Sequence, residues 1–150
     1  MATALLLSTV STSAFANTSN AKTLADEKAT VKLCESMANT INTEMMNFKP
    51  VSDILNPYWI YGNLDPNRSV ESIGHQSNQV ARFGLHLWGK PLNVVFTKTD
   101  KDKLGYFMRH NFMLRRENLA LDFYCEFYKN DDGRRIVGLF WNDTYKNFFE

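Results

Sequence analysis

Among the side chains able to do chemistry, His110 stands out because it sits in a run that alternates apolar and polar residues. Tyr106, Met108, His110, Phe112 and Leu114 share one parity. Phe107, Arg109, Asn111, Met113 and Arg115 share the other. A histidine on the apolar side is either a pocket base or ligand anchor, since imidazole titrates near neutrality, or a core histidine bonded to its neighbours. The apolar company favours the core reading. His110 is the one catalytic candidate, and no acid stands beside it on that parity. The two cysteines, Cys34 and Cys125, fall on inward-facing positions of their segments. In an oxidising compartment they can pair; otherwise they are buried thiols of a kind common in cores. The sequence leaves both open. A buried thiol in apolar surroundings is a poor nucleophile. Cys34, Cys125 and His110 lack the paired spacing of metal ligands, so no metal site is expected. Tyr58, Trp59 and Tyr61 cluster ahead of Gly62, as a pocket rim, a partner-contact patch or an apolar plug.

These residues need elements to position them. Leu24, Val31, Cys34, Ala38, Ile41, Met45 and Phe48 recur at helical spacing, opposite Lys28, Lys32, Ser36, Asn39 and Thr43. That pattern predicts an amphipathic helix. Thr23 and Asp26 have the spacing of a capping box at its start, and Pro50 ends it. A short helical turn is expected over Val51 to Leu55, and a turn at Asp65-Pro66-Asn67. A second long helix is expected from Val70 to Trp88, with Ile73, Gln76, Val80, Phe83 and Leu87 as its stripe. Gly89 is placed as its C-terminal glycine and Pro91 as its stop. From Leu92 onward the period becomes two, which predicts half-buried strands. Asn130-Asp131-Asp132-Gly133 is a hairpin turn. Taking Glu117-Asn118 as a two-residue turn sets a register: His110 opposite Cys125, Phe112 opposite Phe123, Arg109 opposite Glu126. Residues so opposed lie about 4.5–5.5 Å apart at Cβ. The expected fold class is therefore α+β, with N-terminal helices on one face of an antiparallel meander of four or more strands.

A chain of 150 residues suits one domain. Its net charge of +1 and lack of a basic stripe give no support to nucleic-acid binding. Residues 1–16 carry no charge and end in Ala14-Phe15-Ala16, matching a signal-peptidase site after a short apolar stretch. That stretch is far below the roughly 20 residues of a membrane span. The expected organisation is a signal peptide over 1–16, a polar lead-in over 17–22 and one domain over 23–150. Periplasmic or secreted localisation follows.

The order of long helix, broken helical segment, second helix and long-stranded meander resembles the nuclear transport factor two-like (cystatin-like, α+β cone) superfamily over Lys22 to Asn142. It is most similar to small secreted bacterial members, which end in a strand like Arg135-Ile136-Val137-Gly138-Leu139-Phe140 after an Asp/Gly turn. The resemblance implies a curved sheet and a conical pocket. Members similar to ketosteroid isomerase or scytalone dehydratase place Asp, His or Tyr inside the cone. Here Asp122 and Glu126 have the outward parity, so only His110 and Tyr106 are polar within. The function expected is binding of a small apolar ligand or of a protein partner. Tyr58, Trp59, Tyr61, Tyr106, Met108, His110 and Phe123 would line the ligand site. An isomerase or lyase built on His110 is the rival. A third expectation is a homodimer through the outer sheet face, where Phe107, Met113, Tyr124 and Tyr128 have outward parity. No cofactor is implied.

Overall fold

Leu24 fixes where the first helix can begin. In the computed structural model, which describes residues 21–44, 47–61 and 69–143, the Leu24 N–H donates to Arg134 O and its carbonyl accepts from Arg134 N–H, at 2.8 and 2.9 Å. Backbone committed to that bridge cannot enter a helix. Helix α1 therefore runs Glu27–Thr43, with Asp26 as its cap. The Asp26 carboxylate accepts from Ala29 N–H at 2.8 Å. The expected Thr23 cap and a helical Leu24 are thus corrected. Cys34, Ala38 and Ile41 are buried as their spacing predicts, joined by Thr30, Leu33 and Met37. Glu44 closes the helix, well before Pro50. Pro50 instead stands in the first turn of helix α2, Lys49–Leu55, where its missing N–H costs nothing.

Helix α3 spans Val70–Trp88 with Ser69 as its cap. Gly89 follows at φ +74°, a conformation glycine adopts without strain. Of the expected stripe of α3, the Val80 and Phe83 side chains lie outside the description, and the other three members are not buried. Val70, Gly74, Ser77, Ala81, Gly84 and Trp88 face inward, whereas Gln76 and Leu87 face solvent and Ile73 is half-buried. Small residues let neighbours come close. A Cβ on Gly74 would meet the Phe48 ring at 2.7 Å, and one on Gly84 would meet Trp88 at 1.9 Å. The periodicity of large apolar residues misplaces such a face, because its contacts are made by what the side chains lack.

The second half is a four-stranded antiparallel sheet of strands β1 (Pro91–Lys101), β2 (Phe107–Arg116), β3 (Ala120–Asn130) and β4 (Gly133–Asn142), in the order β1-β2-β3-β4. Pro91 opens β1 rather than merely stopping α3. The central register is the expected one: His110 pairs with Cys125, Phe112 with Phe123 and Arg109 with Glu126. On β4 a bulge falls between Ile136 and Gly138. It resets the alternation, so that Ile136, Leu139 and Trp141 lie opposite the inward Phe127, Cys125 and Phe123. Helix α1 is fastened to the sheet. Cys34 and Cys125 form a disulfide, Thr30 bonds His110, and Arg116 of β2 donates to the Asn42 carbonyl at 2.8 Å. Among the described residues no helix is long and apolar enough to cross a membrane. The expected signal peptide, most of the polar lead-in, Met45 and the Asp65-Pro66-Asn67 turn lie outside the described residues.

Candidate functional site

The inward side chains of β2 and β3 are buried. His110, Phe112, Phe123 and Phe127 are wholly buried, and Met108 nearly so. Both nitrogens of His110 are engaged. Nε2 lies 2.8 Å from Thr30 Oγ1 and Nδ1 lies 2.8 Å from Thr99 Oγ1. Thr30 Oγ1 also lies 2.7 Å from the Glu27 carbonyl. When its proton goes to that carbonyl, its oxygen accepts from His110 Nε2–H and Nδ1 accepts from the Thr99 hydroxyl. A neutral imidazole is satisfied at both nitrogens in this arrangement. The Phe127 ring lies against it, 5.4 Å between centroids. Burial pushes the His110 pKa below its ordinary value, with the nearby positive charges of Lys101 and Arg134 adding to that and Glu27 opposing it.

The sign of that shift gives a stability prediction. A base whose folded pKa is depressed binds fewer protons folded than unfolded, so stability rises with pH across that interval. Stability should therefore fall as pH drops through about 6.5, the ordinary value of an unfolded histidine, and level off below the folded pKa. Urea midpoints between pH 7 and 5 measure it. His110→Gln, which keeps polar contacts and does not titrate, should flatten the slope. An unchanged slope in that variant would show the proton goes elsewhere.

Tyr106 departs from expectation. It precedes β2, and it is 53% exposed rather than inward. The turn explains this. Asp102 Oδ1 and Oδ2 accept from Phe107 and Leu104 N–H, which holds residues 102–107 in a tight loop. These backbone donors also keep the Asp102 carboxyl below its usual range. Tyr106 spends its carbonyl on Lys129 N–H and points its ring outward.

A cleft of about 390 Å³ opens instead at the β4 side of the molecule. Trp59 and Tyr61, beyond α2, form one wall. Ile73, Gln76 and Ser77 of α3 form another, and Val137 to Trp141 of β4 form the floor. The volume lies within the usual range for ligand sites. Trp59 is buried and paired with Ile136 across a one-residue parallel bridge. Its ring meets that of Tyr61 edge-on at 5.5 Å. Trp141 Nε1–H donates to Ser77 Oγ at 3.1 Å, tying α3 to the end of β4. Among the described residues no Asp, Glu, Lys, Arg or His lines the cleft, so its described walls offer no proton-transfer pair of the usual kind. Of the expected site residues, the structure brings Trp59 and Tyr61 here. It puts Met108, His110 and Phe123 in the core and Tyr58 at its edge, half-buried. The contribution of α3 and β4 went unread, although one signal was present. The last described strand of the meander carries an uncharged run from Ile136 to Trp141.

No protein-family model, curated protein or solved structure matches the chain.

The outer sheet face carries aromatic pairs. Phe107 and Tyr128 lie 5.1 Å apart, Tyr124 stacks on Phe140 at 5.0 Å, and the Arg109 guanidinium sits 4.3 Å from the Tyr124 ring centre. Arg109 also bonds Glu126. A smaller recess of about 280 Å³ lies beside Arg109 and Glu126 and reaches Asp100, Asp102 and Met108. Among the described residues no group of three or more His, Cys, Asp or Glu is placed to hold a metal ion.

Proposed function

We propose that this chain is an exported binding domain of the nuclear transport factor two-like kind, in which the helices cover the concave side of a curved, cone-like sheet. Its ligand enters between α3 and β4. One observation carries the reading: among the described residues the cleft floored by β4 is lined by no charged side chain, while the one catalytic candidate is buried with both ring nitrogens in hydrogen-bond contact. Such a site binds by apolar contact and shape. The disulfide between α1 and β3 is compatible with an oxidising compartment, and supports export together with the Ala14-Phe15-Ala16 sequence. Gln76 is exposed on α3 and faces the cleft, so a large residue there should fill it without disturbing the core. The protein should bind the uncharged dye N-phenyl-1-naphthylamine saturably, with a rise in fluorescence. Gln76→Trp should weaken this about tenfold or more, equivalent to some 1.4 kcal/mol of lost contact. Dye binding that is absent in the native chain, or unaltered in the variant, removes the cleft from consideration.

A further inference from the structure

The two edges of the sheet are built differently. The outer edge of β1 begins with Pro91 and is broken by register shifts between Pro91 and Val94 and between Phe96 and Lys98. It carries Lys98, Asp100 and Lys101. Proline, bulges and charges are the devices by which edge strands repel additional strands. The far edge, on β4, has its one bulge at Val137 and carries neither proline nor charge over Val137-Gly138-Leu139-Phe140-Trp141. Its first part is already used for strand pairing by the chain itself. Leu24 pairs antiparallel with Arg134, and Trp59 pairs parallel with Ile136. Among the described residues no strand pairs with this edge beyond Ile136.

That remaining edge is the floor of the cleft. Gly138 has no side chain, so it can line the cleft only with backbone atoms. A Cβ at Gly138 would meet Glu126 Oε2 at 2.8 Å and the Phe140 ring at 2.9 Å. Backbone is thus presented to the opening. The edge is also recessed between Trp59 on one side and Ile73 and Gln76 on the other. A lone strand needs less clearance there than a second sheet edge flanked by its own α3.

We propose that the cleft takes an extended peptide segment of a partner protein, uncharged where it faces the cleft, added as a further strand on β4 beyond Ile136. This rests on the binding reading above and names its ligand class. The pairing continues the line begun by Leu24 and Trp59. Val137 to Trp141 offers about 16 Å of edge at roughly 3.3 Å per residue, enough for a strand of five residues. Main-chain bonds supply affinity in this mode, and alternate side chains supply selectivity.

The test uses the full chain and a library of acetylated, amidated heptapeptides built from Val, Thr, Tyr, Phe and Ser. Library members should bind saturably, displace N-phenyl-1-naphthylamine, and slow amide exchange within Val137 to Trp141. Methylating alternate peptide nitrogens, which removes donors and leaves side chains in place, should weaken binding tenfold or more. Equal binding by the methylated peptides overturns strand addition and leaves the cleft a side-chain pocket. Dye binding without binding of any peptide overturns it also, with the general reading intact. Failure of both probes defeats the two together. Protection of the same amides that rises with protein concentration alone would give the edge to a second copy, and so overturn it.

Discussion

Replacing Cys34 and Cys125 together by Ala is expected to lower the free energy of unfolding by about 4.6 kcal/mol, on the loop-closure estimate for a bridge of this span. The bridge joins residues 91 apart in sequence, and both cysteines are wholly buried. It is the covalent tie between the helical half and the sheet. Without it the unfolded chain gains a large range of conformations, while the folded chain keeps its register. For a domain of this size the thermal midpoint should drop by about 9–18 °C. The denaturant slope should also rise, because the unlinked chain exposes more surface on unfolding. Equilibrium urea unfolding of native and double-Ala proteins measures both. Identical midpoints, with the thiols of the native protein shown to be oxidised, would refute the assignment. The same experiment in reductant mimics a reducing compartment, where the domain should be correspondingly less stable.

The central hairpin was legible because two independent signals agreed. Alternation sorted residues 106 to 128 into two faces, and a two-residue turn at Glu117-Asn118 fixed their register. The structure pairs Arg116 and Leu119 across that turn, N–H to carbonyl at 3.0 Å. One slipped residue would have turned every apolar side chain to the wrong face. The same logic placed Cys125 inward, and the helical stripe placed Cys34 inward, so their pairing lay within reach of the sequence. What alternation could not show was where β2 begins. Tyr106 has the right parity but belongs to the loop organised by Asp102, and loops obey hydrogen bonds, not period.

Helix α3 shows the opposite limit. Its length was plain from Ser69 to Gly89, but its orientation was not. Hydropathy weights Leu87, which is exposed, and ignores Gly74 and Gly84, which make close approaches. The cleft is a second case. Ile73 and Gln76 of the expected stripe line it together with β4, and the aromatic segment at Trp59 finds a partner in Ile136. These are contacts between segments far apart in the chain. No local pattern encodes them.

Arg116→Met is expected to cost about 3 kcal/mol or more, because it orphans buried carbonyls at two helix ends. Arg116 is 7% exposed and stands on the inward parity of β2, one residue before the turn. Its Nη1 donates to the backbone carbonyl of Asn42 at 2.8 Å and to the Asn42 side-chain oxygen at 3.2 Å. Its Nε and Nη2 converge on the Gly89 carbonyl at 3.0 and 2.7 Å. Asn42 lies in the last turn of α1, and Gly89 directly follows α3. The last carbonyls of a helix lack intrahelical donors and form its negative end. One planar cation thus caps two helices and clips both to the sheet. Burial pushes its pKa below the usual guanidinium value, with Glu117 opposing; the group stays charged, since arginine holds its proton throughout the working pH range. Methionine keeps the bulk and removes every donor. Charge-assisted bonds are worth about 1.5–3 kcal/mol each, and stranded buried acceptors add their own penalty. Lysine restores the charge but not the fork, so Arg116→Lys should recover only part of the loss. Urea unfolding of the native chain and both variants gives the order native, Lys, Met. If Arg116→Met matches the native chain, the guanidinium does not hold the helix ends, and these contacts contribute nothing to stability.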